Sequence, residues 1–98
     1  MKYQVHITQR AERDLDQALD YIEFSLKNPR AADSLLDEAE AVLASLDQMP
    51  ARYAVVNDKI LSAWGIRYVQ IKKYLAFYII AEETRTVHII RFLYGKSD

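Results

Sequence analysis

Residues 74–94, YLAFYIIAEETRTVHIIRFLY, hold two runs of β-branched and aromatic residues, Tyr74–Ala81 and Thr86–Tyr94, on either side of the polar segment Glu82–Arg85. Such runs fit a pleated, largely buried surface, and the polar segment between them predicts a turn joining two antiparallel strands. Immediately upstream, Ile66–Ile71 has the same character, and Lys72-Lys73 predicts a tight connection into Tyr74. Together these make a three-stranded antiparallel segment. Further upstream, Tyr53-Ala54-Val55-Val56 predicts a short strand and Asn57-Asp58 a turn. Lys59–Trp64 reads either as loop or as one helical turn closed by Gly65.

Before Pro50 the period changes from two to three or four. Ala32, Leu35, Leu36, Ala39, Val42, Leu43 and Leu46 form one helical stripe. Ala11, Leu15, Ala18, Ile22 and Leu26, reinforced by Leu19, form an earlier one. Thr8 is placed to cap the first helix, with Glu12 and Asp14 near its positive end. Asn28-Pro29 ends that helix and starts the second, with Asn as cap and Pro at the first helical position. The outcome is a helical hairpin with its acids on the outer faces. At the N-terminus, KYQVHIT alternates Tyr3, Val5 and Ile7 with Lys2, Gln4, His6 and Thr8, the pattern of a half-buried strand. The fold class is therefore α+β: an N-terminal strand, a two-helix hairpin, then a three-stranded antiparallel segment, forming one sheet in a single domain over 1–98.

With 98 residues, 51% of them hydrophobic and only two glycines and two prolines, the chain supports one modest core and is not loop-dominated. It has no cysteine, so disulfides and thiolate metal sites are excluded. Two distant histidines, His6 and His88, without a carboxylate cluster predict no metal site, and no cofactor motif is present. The opening MKYQVHITQR lacks a signal-peptide core, and no apolar run reaches the ~20 residues of a membrane span. A cytoplasmic protein without membrane partners is expected. The net charge of −1 hides a polarity: residues 1–50 carry five Lys/Arg against ten Asp/Glu, and 51–98 carry eight against four. From Lys59 to Ala81 there are four basic residues and no acid. A chain polarised in this way offers an anionic partner one attractive side.

YLAFYII and VHIIRFLY are apolar at consecutive positions, hence on both faces of their strands. The helical hairpin can cover one face only. The other, with Arg91 and His88 among its residues, is expected either to await a partner or to lie beneath the C-terminal tail.

The order of these elements resembles the RelE/ParE toxin superfamily over nearly the full length. The resemblance rests on TQRAERDL at 8–15, Asn28-Pro29 leading into Ala31-Ala32, Pro50 followed by Tyr53, Gly65-Ile66-Arg67, KKYLAFY at 72–78, and IRFLYG at 90–95. It implies the toxin of a type II toxin–antitoxin system, with a curved, largely antiparallel sheet. It also implies a cognate antitoxin whose disordered segment folds across this protein, burying the second apolar face and setting acids against Lys72, Lys73 and Arg91 in a hetero-oligomer.

Within the superfamily, RelE-like toxins cut messenger RNA on the ribosome without a metal, whereas ParE-like toxins poison DNA gyrase without nuclease chemistry. The resemblance favours the endoribonuclease, with gyrase inhibition as the alternative. RNA cleavage requires proton transfer and cations to stabilise the charge that develops on the phosphate. The catalytic candidates are Arg67, Lys72, Lys73, Arg91 and Tyr94, with Lys96 beside them. Arg91 stands out, because a guanidinium in an apolar strand is costly unless paired or aimed at a ligand. It either grips phosphate or pairs with an acid on the hairpin such as Glu12 or Asp14. Two departures from the nuclease pattern are visible. Leu75 and Ser97 occupy positions where RelE-like nucleases carry basic residues, and the pI of 6.1 is low for docking on ribosomal RNA.

Overall fold

The structure, a computed structural model, describes residues 2–95. Strand β1 (Gln4–Ile7) leads into helix α1 (Gln9–Asp20), which continues as a π-helical turn, Tyr21–Ser25, before helix α2 (Pro29–Ala44) returns. Short 3₁₀ turns at Ser45–Asp47 and Pro50–Arg52 and a five-residue helix α3 (Lys59–Ala63) precede β2 (Arg67–Ile71), β3 (Tyr74–Ala81) and β4 (Thr86–Tyr94). The sheet order is β1-β4-β3-β2. β2, β3 and β4 form the antiparallel meander expected from the sequence, and β1 joins β4 in parallel, in a register that pairs His6 with His88.

The helix boundaries follow their caps. Thr8 Oγ1 accepts from the Ala11 amide at 3.2 Å and Asn28 Oδ1 from the Ala31 amide at 3.1 Å, while Pro29 occupies the first turn of α2. The predicted α2 stripe is the buried one: Ala32, Leu35, Ala39, Leu43 and, beyond the helix, Leu46. It packs on Val69, Ile71, Ala76, Tyr78, Val87, Ile89 and Phe92 from one face of the sheet. The opposite face carries Tyr68, Leu75, Phe77, Ile79 and His88, which are exposed or half-buried. The tail that could have covered it, Lys96–Asp98, lies outside the described residues.

Two local readings are corrected. Tyr53–Val56 forms a single bridge, Val55 with Arg67, rather than a strand, because its neighbours turn away into α3. Leu26, the last position of the first helical stripe, is 56% exposed. The Leu26 amide donates to the Tyr21 carbonyl, a five-residue reach that shifts the helix phase by one residue and turns Tyr21, Phe24 and Leu26 outward. In register Arg91 and His88 do share the uncovered face, Arg91 opposite Phe77 and His88 opposite Ile79. Phe77 is opposite Arg91 and Tyr78 is opposite Ile89, so Ile90 is an extra residue, a β-bulge. The bulge brings Arg91 onto the same face as His88; its side chain reaches round the free edge of β4 to Asp14 of α1, while His88 meets His6.

Candidate functional site

β1 ends at Ile7, and α1 takes its place along the second half of β4. Between α1, the start of α2, the β2–β3 turn and the end of β4 lies an open cleft of about 1120 Å³. Its floor is built from Leu35, Tyr74 and Phe92, and its mouth carries Tyr21, Leu26 and Tyr94. Tyr74 stacks on Phe92 with ring centroids 5.1 Å apart and meets the Tyr94 ring edge-on at 5.4 Å. Arg10, Lys72, Lys73 and Arg91 supply its cations.

Asp14, 8% exposed, sits at the centre of the cleft wall. Its Oδ2 accepts from Arg91 Nε at 2.7 Å and from the Phe92 amide at 3.0 Å, and its Oδ1 from Arg91 Nη2 at 3.3 Å. Arg10 Nε stands 3.5 Å from Oδ1, one helical turn before it. The Phe92 amide is a free edge of β4 once β1 has ended, so one carboxylate satisfies the sheet edge and holds the arginine that follows the bulge. Burial alone would push the Asp14 carboxyl up. The Arg91 hydrogen bond, the Phe92 amide and the charges of Arg91 and Arg10 together outweigh it and hold the carboxyl below its ordinary 3.8.

Of the five sequence candidates, Lys72, Lys73, Arg91 and Tyr94 line this one cleft, and Arg67 does not. Arg67 Nη1 donates to the carbonyls of Ala51 at 3.2 Å and Tyr53 at 2.6 Å, fastening the 50–53 segment to the edge of the sheet. Lys72, in the left-handed region at φ 54°, reaches Glu38 at 3.7 Å, and the Lys73 carbonyl accepts from the Gly95 amide at 2.8 Å. The Lys73 ammonium has no ion pair among the described residues. Tyr94 is 61% exposed. Lys96 and Ser97 lie outside the described residues. His6 and His88 meet on the opposite face, Nδ1 to Nδ1 at 3.0 Å, away from the cleft.

The sequence did not single out Arg10, Tyr21 or Tyr74 as site residues. The i, i+4 pairing of Arg10 with Asp14 was a usable signal, since it puts both on one helix face. Burial, and then the neighbouring phenols of Tyr94 and Tyr21, raise the Tyr74 phenol above 10.0, so it is a neutral group at physiological pH. Arg10 and Arg91 carry one charge beyond what Asp14 cancels, and Lys73 adds another. The arrangement is that of an apolar, aromatic trough with a net positive rim, suited to an acidic peptide with apolar anchors.

The profile of one family, described as the ParE toxin of the type II toxin–antitoxin system parDE, matches residues 5–98. Among solved structures, the fold is similar to a chain of a chromosomal ParDE toxin–antitoxin system from P. aeruginosa, with TM-score 0.78 and 18% identity over 97% of this chain and 98% of that one. It is also similar to a chain of the RelBE2 toxin–antitoxin complex from Mycobacterium tuberculosis, with TM-score 0.65 and 23% identity over 96% and 99% of the two chains. No curated protein matches it in sequence.

Proposed function

The chain belongs to the ParE family of toxins from type II toxin–antitoxin systems, and on that premise we propose that it acts by binding DNA gyrase rather than by cutting RNA. The observation that carries this reading is the Asp14–Arg91 contact, with both guanidinium hydrogen bonds directed to one carboxylate. The side chain best suited to grip a phosphate is already occupied, and the acid that occupies it would repel one. Lys72 is drawn toward Glu38, and the one carboxylate lining this cleft, Asp14, is already engaged by Arg91 and the Phe92 amide, which makes it a poor proton acceptor. The cleft itself is the seat of the cognate antitoxin. An amphipathic segment of that partner lays apolar anchors over Tyr74 and Phe92 and sets acids against Lys73 and Arg10.

Lys73 and Tyr94, which both line the cleft and whose side chains have no ion pair or hydrogen bond among the described residues, favour the RelE-like alternative of ribosome-dependent mRNA cleavage. One experiment separates the two. Purified toxin is added to gyrase with relaxed plasmid, and in parallel to ribosomes programmed with a defined mRNA. We expect loss of supercoiling with intact message. Cut message with normal supercoiling refutes the gyrase reading.

A further inference from the structure

We propose that the apolar knob formed by Ile60, Leu61 and Trp64 is the surface by which this toxin docks on its target, and that the target is a protein presenting an apolar pocket rimmed by acidic side chains. This rests on the reading of the chain as a toxin that acts by binding, and it names the part of the surface that binds.

Trp64 is 74% exposed, Ile60 71% and Leu61 40%. Ile60 and Trp64 are one helical turn apart, so their side chains share one side of α3. Solvated aliphatic and indole surface is costly to leave bare, and a floppy loop would fold it inward. Here the segment is held in place. Asp58 Oδ1 accepts from the Ile60 and Leu61 amides at 2.9 and 3.0 Å, which caps α3. Gly65, at φ 74°, reverses the chain in a conformation that side-chain-bearing residues resist. The base is tied by Val56 N to Ile66 O at 2.9 Å and Tyr68 N to Ala54 O at 3.1 Å. An exposed Trp with aliphatic neighbours, on a backbone tied at both ends, is the composition of a binding hot spot.

The electrostatic setting identifies the partner. The excursion is bracketed by Arg52 and Arg67, and both guanidinium groups donate to backbone carbonyls, not to carboxylates. Their charges are therefore fixed in place and not cancelled. Lys59 adds a third cation against one acid between residues 51 and 81, Asp58, which caps α3, so residues 52–67 keep a net positive charge. A second copy of this chain is a poor occupant, because a two-fold contact would set basic rim against basic rim. A nucleic acid is also disfavoured, since one indole among aliphatic side chains gives no run of stacking platforms. An acidic-rimmed protein pocket satisfies both the apolar centre and the cationic border. None of the knob residues lines the cleft, so the knob and the antitoxin seat are separate surfaces.

The test uses Trp64→Ser, Ile60→Glu and Ile60→Lys in the full chain, all exposed substitutions that leave the core intact. Growth arrest on induction, gyrase supercoiling and co-purification with co-expressed antitoxin are read for each. We expect Trp64→Ser to lose about 30-fold or more in inhibitory potency. Ile60→Glu should be more damaging than Ile60→Lys, and all three should still hold antitoxin. The proposal is overturned if Trp64→Ser arrests growth like the parent, if Ile60→Lys is the worse of its pair, or if antitoxin is lost along with toxicity. Loss of single-stranded RNA binding by Trp64→Ser in a gel shift would likewise overturn it, in favour of a nucleic acid. If the parent arrests growth and spares gyrase, the gyrase reading fails. The knob is then judged by growth arrest alone.

Discussion

At the scale of single residues, the weight of this molecule falls on two buried polar groups. Asp14 collects a sheet-edge amide and a guanidinium. Asp14→Ala should cost about 1–3 kcal/mol, because the Phe92 amide and Arg91 lose their acceptor together. The sign of its pH dependence follows from the depressed native pKa. The contribution is complete above the ordinary value of 3.8 and fades as pH falls through the lower native value. Urea unfolding at pH 7 and pH 3 should therefore show Asp14→Asn lagging the parent at pH 7 by more than it does at pH 3. A gap of constant size would refute the assignment. Tyr78, fully buried, donates to the Pro50 carbonyl at 2.6 Å, and burial pushes its phenol up to about 12. Its stabilising effect is intact below pH 10 and is lost toward pH 12. Tyr78→Phe should cost about 1–2 kcal/mol at neutral pH and remove that alkaline loss, as thermal melts between pH 9 and 11.5 would register.

At the scale of elements, the helices, caps and meander were legible because each is written locally. Thr8, Asn28-Pro29 and the α2 stripe satisfy short-range rules with few competing solutions, and the structure obeys them. Leu43, 4% exposed in that stripe, should lose about 2–5 kcal/mol on substitution by Ala, through the cavity left beneath β2 and β3. A shift in the urea midpoint with unchanged slope would report it. Features set by long-range geometry were not legible. The π turn at Tyr21–Ser25 inserts one residue into a helix whose apolar spacing looks regular, and only the packing of α1 on β4 reveals the shift. The bulge at Ile90 is equally silent in VHIIRFLY, where strict alternation would set Arg91 and His88 on opposite faces and the pairing with Phe77 sets them on one. The candidate site divided along the same line. Lys72, Lys73, Arg91 and Tyr94 were found together because they close neighbouring strand ends. Arg67 stands apart from the cleft because its carbonyl partners lie 14 and 16 residues upstream in an irregular segment, which no local pattern announces.

At the scale of the whole molecule, the charge polarity seen along the chain becomes a division of surfaces. The acids of the first half stand largely on the outer faces of α1 and α2, and Lys72, Lys73 and Arg91 of the second half line the cleft. An acidic antitoxin segment approaching the cleft should be steered by that field, so its association should slow as salt rises while its dissociation changes little. Lys73 is the sharpest probe, because its ammonium has no ion pair among the described residues and its removal leaves the fold alone. Lys73→Glu should lower the association rate by about tenfold at low ionic strength, with the difference from the parent shrinking toward 0.5 M salt, where the screening length falls to a few ångströms. Stopped-flow mixing of toxin and antitoxin across that salt range gives the measurement. Parallel curves for the two proteins would mean that the cleft does not receive an acidic partner. An effect confined to dissociation would mean that Lys73 makes a buried contact and does not guide the encounter.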